Sequence, residues 1–184
     1  EGADETRVSE WYDQVYEPWT FDRLPMMEVW LEENRAVLDL LGKAVRKPVF
    51  CVPMTRADRQ SLSLFAESPA SDLQRMRAFA RSLAVRASYR IATGDVDGAI
   101  DDVVTCERLG RHLQRQGTVL THLVGIAIEG IADAIGIAAL REFQPTEQQL
   151  RRLVHEFKAL PPRPTLDDTL LVTRYDTLDC LQTI

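Results

Sequence analysis

Apolar and polar positions alternate with a helical period along most of the chain. The first regular pattern runs over about residues 25–46, where Met27, Trp30, Leu31, Leu38, Leu41 and Val45 recur at helical spacing. Pro25 suits a first-turn position. Asn34 falls inside that apolar face, so it needs a hydrogen-bond partner. Pro48 ends the helix, and residues 47–54, with two prolines among β-branched and aromatic residues, read as an extended connector. Residues 55–70 are polar and irregular, a surface excursion and the best place for a lid or binding loop. Ser71, with Gln74 three residues on, opens a helix in the pattern of a capping box. Its apolar face is Leu73, Met76, Ala80, Leu83, Ala84, Ala87 and Ile91, many of them small enough for a neighbouring helix to approach closely.

Thr93-Gly94-Asp95 breaks that pattern. A second helix follows over 96–114 with Ala99, Ile100, Val103, Cys106 and Leu109 inward. Two helices joined by so short a turn make an antiparallel hairpin. Gly117 precedes an apolar helix over 118–140, expected to be buried on nearly all sides. Thr146 with Gln149 starts another helix, with Leu150, Leu153, Val154, Phe157 and Leu160 inward. The run Pro161-Pro162-Arg163-Pro164 is a stiff break. Thr165 with Asp168 caps a last helix carrying Leu166, Leu170, Tyr175, Leu178 and Leu181. The pattern predicts an all-α fold: a compact array of about six helices, with the hairpin packed on a central buried helix. Residues 1–21 form an acidic arm with interleaved aromatics (Trp11, Tyr12, Tyr16, Trp19, Phe21), expected to pack its rings onto the domain or to hold a partner. Residues 22–184 form a single domain, expected to continue beyond Ile184.

A chain of 184 residues can bury a real core, and 45% hydrophobic with 27% charged residues is ordinary globular composition. The net charge of -6 argues against general nucleic-acid binding, which needs a basic footprint. Cys51, Cys106 and Cys180 form no CxxC pair and leave the redox compartment open. The helix over 118–140 is long enough to suggest a membrane span, but His122, Glu129 and Asp133 along it argue against a bilayer. A membrane enters only through an anchor expected upstream of Glu1.

The hairpin over 80–111 resembles a tetratricopeptide repeat. Ala87 takes the small mid-helix position, Gly94-Asp95 the turn and Ala99 the alanine five residues after the glycine. Val103 and Cys106 fit the next large and small positions. Arg90 stands where an aromatic is usual, and Arg111 where a closing proline is usual. The resemblance covers one repeat, fewer than a solenoid needs. More widely, an Arg-rich helix, the GDxDGA turn, Arg111-His112 and the GIAIE helix are similar to bacterial α-helical proteins with an exported or membrane-anchored N-terminus. That resemblance implies architecture and a place at the cell envelope, and no reaction.

Two constellations carry candidate chemistry. His122, Glu129 and Asp133 lie on one stripe of the apolar helix. Glu129 and Asp133, one turn apart, suit a shared ligand or an acid–base pair. His122 is about 16 Å from Asp133 along the helix, too far to join them unaided, although it or His112 is the imidazole such a site would use. The bland alternative pairs these groups with hairpin arginines. The second constellation is basic: Arg77, Arg81, Arg86, Arg90 and Arg111 decorate the hairpin, and guanidinium matches carboxylate bidentately. The alternative there is internal pairing with Asp95, Asp97, Asp101, Asp102 and Glu107. No phosphate loop, dinucleotide fingerprint, zinc-protease helix or nucleophile elbow occurs, so no cofactor and no metal ligand set is expected. The leading expectation is a non-catalytic domain that binds a protein or peptide, with an acid–base or metal-binding domain built on the polar stripe as the alternative. Homo-oligomerisation through Gly125, Ala132, Gly136 and Ala139 of the apolar helix is a third.

Overall fold

Six helices account for the regular structure among the described residues: α1 (Met26–Ala44), α2 (Ala70–Thr93), α3 (Val96–Gln114), α4 (Val119–Glu142), α5 (Glu147–Lys158) and α6 (Leu166–Leu181). A computed structural model of the chain describes residues 17–20, 22, 24–51, 70–142 and 145–181, and these contain no strand. Trp11, Tyr12, Tyr16 and Phe21 of the aromatic arm, and nearly all of the connection over 55–70, lie outside the described residues.

The helix starts follow local chemistry. Thr146 and Gln149 close a reciprocal capping box at the start of α5. Thr165 and Asp168 satisfy each other in the same way ahead of α6. The Asp95 carboxylate accepts the Gly98 amide at the start of α3. The turn before it is tight because Gly94 sits at φ 80°, a conformation that costs little only without a Cβ. Asn34 finds its partner one turn back, donating to the Trp30 carbonyl at 2.8 Å.

Helix α3 is the hub and touches α1, α2, α4 and α5. Its contact with α4 is the most extensive between the described helices, and glycine makes it possible. A Cβ on Gly125 would meet the Gly110 carbonyl oxygen at 2.6 Å and Gln114 Cγ at 2.6 Å; one on Gly110 would meet the Gly125 carbonyl oxygen at 2.8 Å. The backbones therefore touch at this crossing. Around it Ala80, Leu83, Ala84, Ala87, Cys106, Leu109, Ile128 and Ala132 form the core, all at 0–1% exposure. A smaller cluster joins Trp19, Met27, Leu31 and Val85. Trp19 is fully buried there, donates to the Val85 carbonyl and stacks obliquely on Tyr89, so this end of the arm packs a ring onto the domain.

The expectation of a helix buried on nearly all sides is corrected. Helix α4 buries one stripe, Thr121, Gly125, Ile128, Glu129, Ala132 and Ile135. Leu123, Ile126 and Ile137 on other faces are about half exposed. The physical reason is that α2 and α3 cover a single side, while α6 touches α4 only lightly. By length and composition alone α4 could cross a bilayer, with mean hydropathy 2.0 over its most apolar window. Its Gly125 meets Gly110 and Gln114 of α3, and Ala132 is buried in the core.

The crossing yields a paired test. Gly125→Ala should destabilise the fold by about 1–3 kcal/mol through overpacking. Gly130→Ala, on the same helix with open space around a new Cβ, should stabilise it by up to about 1 kcal/mol through helix propensity. Thermal or urea unfolding of the two variants measures both signs.

Candidate functional site

The structure places the five hairpin arginines in two groups. Arg86 is 9% exposed and bonds both oxygens of the buried Asp102, with Nη2 to Oδ1 at 2.7 Å, while its Nη1 reaches Asp39 of α1 at 2.8 Å. Arg90 adds a 2.7 Å bond to the other Asp102 oxygen and caps the Gly98 carbonyl. Burial pushes the Asp102 carboxyl up, and Arg86 and Arg90 pull against that shift. These two arginines do line a shallow polar depression of about 320 Å³ with Lys43, Arg46, Asp39 and Asp101. Their charge is already matched within it. Arg111 pairs with Glu129 and lies 4.0 Å from Glu107, and its Nη1 donates to the Pro161 carbonyl. Arg77 and Arg81 have no ion pair among the described residues. The five therefore do not form one anion-binding surface, because Arg86 and Arg90 are taken up by Asp102 of α3 and Arg111 by Glu129 of α4.

The polar stripe of α4 is split in the same way. Glu129 is buried at 5% exposure between Arg111 and Arg163, whose Nη2 lies 3.0 Å from Glu129 Oε2. Asp133 is exposed. His122 is half-buried and faces the Thr169 hydroxyl of α6 at 3.4 Å. His112 is buried on α3, its Nε2 bonding the Val45 carbonyl at 2.8 Å, which ties the end of α1 to the hub. The imidazoles are thus spent on tethering helices. Among the described residues no group of three His, Cys, Asp or Glu side chains is placed to hold a metal ion.

Glu107 is the group that sequence reasoning undervalued. It is 1% exposed beside Glu129 and Arg111. Burial, then the Glu129 and Asp133 charges, push its carboxyl up to about 7 against the pull of Arg111 and Arg163. The signal was its position: Glu107, Gly110 and Gln114 share the stripe of α3 that crosses α4. Such a value suits proton transfer. The buried Cys106 thiol on the same helix is pushed up by burial and is no nucleophile.

A larger concavity lies elsewhere. A cleft of about 520 Å³ opens between the hairpin, α4 and α5, within the range of small-molecule sites. Its floor is aliphatic, from Val96, Ile100 and Val103 of α3 and Ile137 and Leu140 of α4, with Leu150, Leu153, Val154 and Phe157 of α5 as the far wall. Three polar side chains reach the described lining: Asp133, Gln149 and Lys158. Neither Glu107, Glu129, Arg111 nor His122 is among them.

The cleft stays open because α5 is held along one edge by polar bonds. Arg152 bridges Asp97 at 2.8 Å and Asp101 at 2.7 Å, Gln149 donates to Asp97 at 3.1 Å, and Arg108 pairs with Glu156 at 3.0 Å. The Gln149 amide and then Arg152 hold the Asp97 carboxyl below its usual range. No residue of α5 is fully buried, although the helix has a strongly apolar side. The cleft depends on how far α5 stands from the hub, which no periodicity reveals.

No protein-family model matches the chain, and no curated protein or solved structure is similar to it. Function has to be read from this geometry.

Two stability measurements follow. Folded Glu107 keeps a proton between its ordinary 4.5 and about 7, which the unfolded chain has already released. Its contribution therefore falls as pH rises through that window. Glu107→Gln should remove a decline on the order of 3 kcal/mol, seen as a flatter plot of unfolding free energy against pH. Asp102→Asn leaves the buried Arg86 short of its main counter-charge, and urea unfolding should show a loss of about 3–5 kcal/mol.

Proposed function

We propose that this chain is a non-catalytic binding domain and that its binding site is the apolar cleft between α3, α4 and α5. The observation that carries the reading is the cleft itself: about 520 Å³ of aliphatic-walled space, bounded by a helix whose apolar side stays uncovered. Leu150, Val154 and Phe157 are 36–52% exposed along that wall. Burying such a surface against a ligand or partner segment is favourable by about 25 cal/mol per Å² of apolar area. The expected protein or peptide binding is thereby moved from the arginines, three of which are internally paired, to the apolar wall.

An acid–base role has one observation in its favour, the carboxyl of Glu107 near neutrality. Against it, Glu107 and Glu129 are buried under Arg111 and Arg163 and do not line the cleft, so no substrate atom comes within proton-transfer reach. The cluster reads as a buried ion network that joins α3, α4 and the Pro161–Pro164 break.

A neutral solvatochromic dye, Nile red, tests the reading. It should bind with one-to-one stoichiometry and shift to the blue. Gly136 lines the cleft, and a Cβ there meets Val103 at an ordinary 3.7 Å. Gly136→Leu should therefore keep the fold, checked by circular dichroism, and weaken dye binding at least tenfold. Gly130→Leu, which points away from the cleft lining, should leave binding unchanged. Equal binding by all three proteins would place the dye elsewhere and sink the reading.

A further inference from the structure

The cleft restricts its occupant by shape, by chemistry and by charge. At roughly 30 Å³ per group the size of a water or methylene, about 520 Å³ holds about 17 such groups. An extended peptide would bury backbone N–H and C=O groups that need partners. The one neutral polar side chain in the described lining is Gln149, and both ends of its amide are committed: Nε2 to Asp97, and Oε1 to the amide and hydroxyl of Thr146. Phe157 is the one aromatic side chain in the described lining, so little is built for stacking a planar ring. A flexible alkyl chain asks only for aliphatic walls, and the lining supplies them.

Charge marks one end. The bonds Gln149–Asp97, Arg152–Asp101 and Arg108–Glu156 set α5 running in the same direction as α3. Lys158 therefore sits at the Val103 end of the cleft. It is exposed and has no ion pair among the described residues, whereas Arg152 on the same helix is held by two carboxylates. Asp133 shares that end from the α4 side and lies within electrostatic reach of Glu107.

We propose that the cleft binds a single-chain amphiphile, with its alkyl tail laid between α3, α4 and α5 and an anionic head at Lys158. The proposal rests on the reading of the cleft as the binding site. It adds the ligand class and assigns Lys158 as the residue that selects the head.

The experiment is displacement of Nile red by straight-chain alkanoates of eight to sixteen carbons, each below its micelle concentration. Affinity should rise about fourfold per added methylene and level off near sixteen carbons as the cleft fills. The alkylammonium of matching length should bind at least tenfold more weakly. Lys158→Glu should abolish that preference, and Asp133→Asn should strengthen alkanoate binding. If Nile red binds and Gly136→Leu blocks it, yet no alkanoate displaces it, the amphiphile proposal is overturned and the cleft reading stands. The same holds if the head-group preference survives Lys158→Glu, or if an amphipathic peptide displaces the dye where alkanoates do not. Failure of Nile red to bind at all overturns both.

Discussion

The backbone contact between Gly110 and Gly125 is the constraint on which the rest of the structure depends. Two helices approach to touching distance only where neither carries a side chain, and here a single methyl on either side would collide with a carbonyl oxygen. That closeness fixes the register of α3 against α4. It seats Ile128 and Ala132 in the core beside Cys106 and Leu109. It also forces Glu107 and Glu129 into proximity one turn from the crossing. Two carboxylates so placed would repel strongly in a dry interior, and Arg111 and Arg163 are the structure's answer. The raised Glu107 carboxyl follows from that helix geometry, through burial and the nearby Glu129 charge.

A second buried network works at the other side of the hub. Asp102 of α3 is gripped by Arg86 and Arg90 of α2, and Arg86 reaches on to Asp39 of α1. Buried ion pairs of this kind contribute little net stability against apolar substitutes but are costly to break from one side. Three helices are thereby locked to one carboxylate, which fixes their mutual orientation where small residues such as Ala80, Ala84 and Ala87 allow many. The arrangement leaves α3 satisfied on its α1, α2 and α4 faces, and only the side toward α5 is free to receive anything.

Much of the fold was legible in the sequence, because helix positions follow from periodicity and caps. The turn at Gly94–Asp95, the capping box at Thr146 and Gln149 and the start at Thr165 all lie where their residue types predict. Helix α4 was misread as buried on nearly all sides because a segment apolar all round carries no direction. Leu123, Ile126 and Ile137 look like core residues in sequence, and only the one-sided cover by α2 and α3 exposes them. The arginines were visible, as were their acidic neighbours Asp102 and Glu107. Which pairs form depends on helix rotation, so the choice between a surface and a network was not legible. The cleft was invisible for the same reason: it is the space left by a helix standing off.

The fastening of α5 has a consequence for the order in which the molecule comes apart. Helices α2, α3 and α4 share one core and two ion networks centred on the buried carboxylates Asp102 and Glu129, so they form a single cooperative unit. Helix α5 buries no residue completely and hangs on carboxylates of α3 that are largely in water. Such bonds are weakened by ordinary salt, and segments with few buried contacts open at a fraction of the global free energy. Helix α5 is thus the wall held least firmly, and rising ionic strength weakens its hold at Asp97 and Asp101 while the hub keeps its own core.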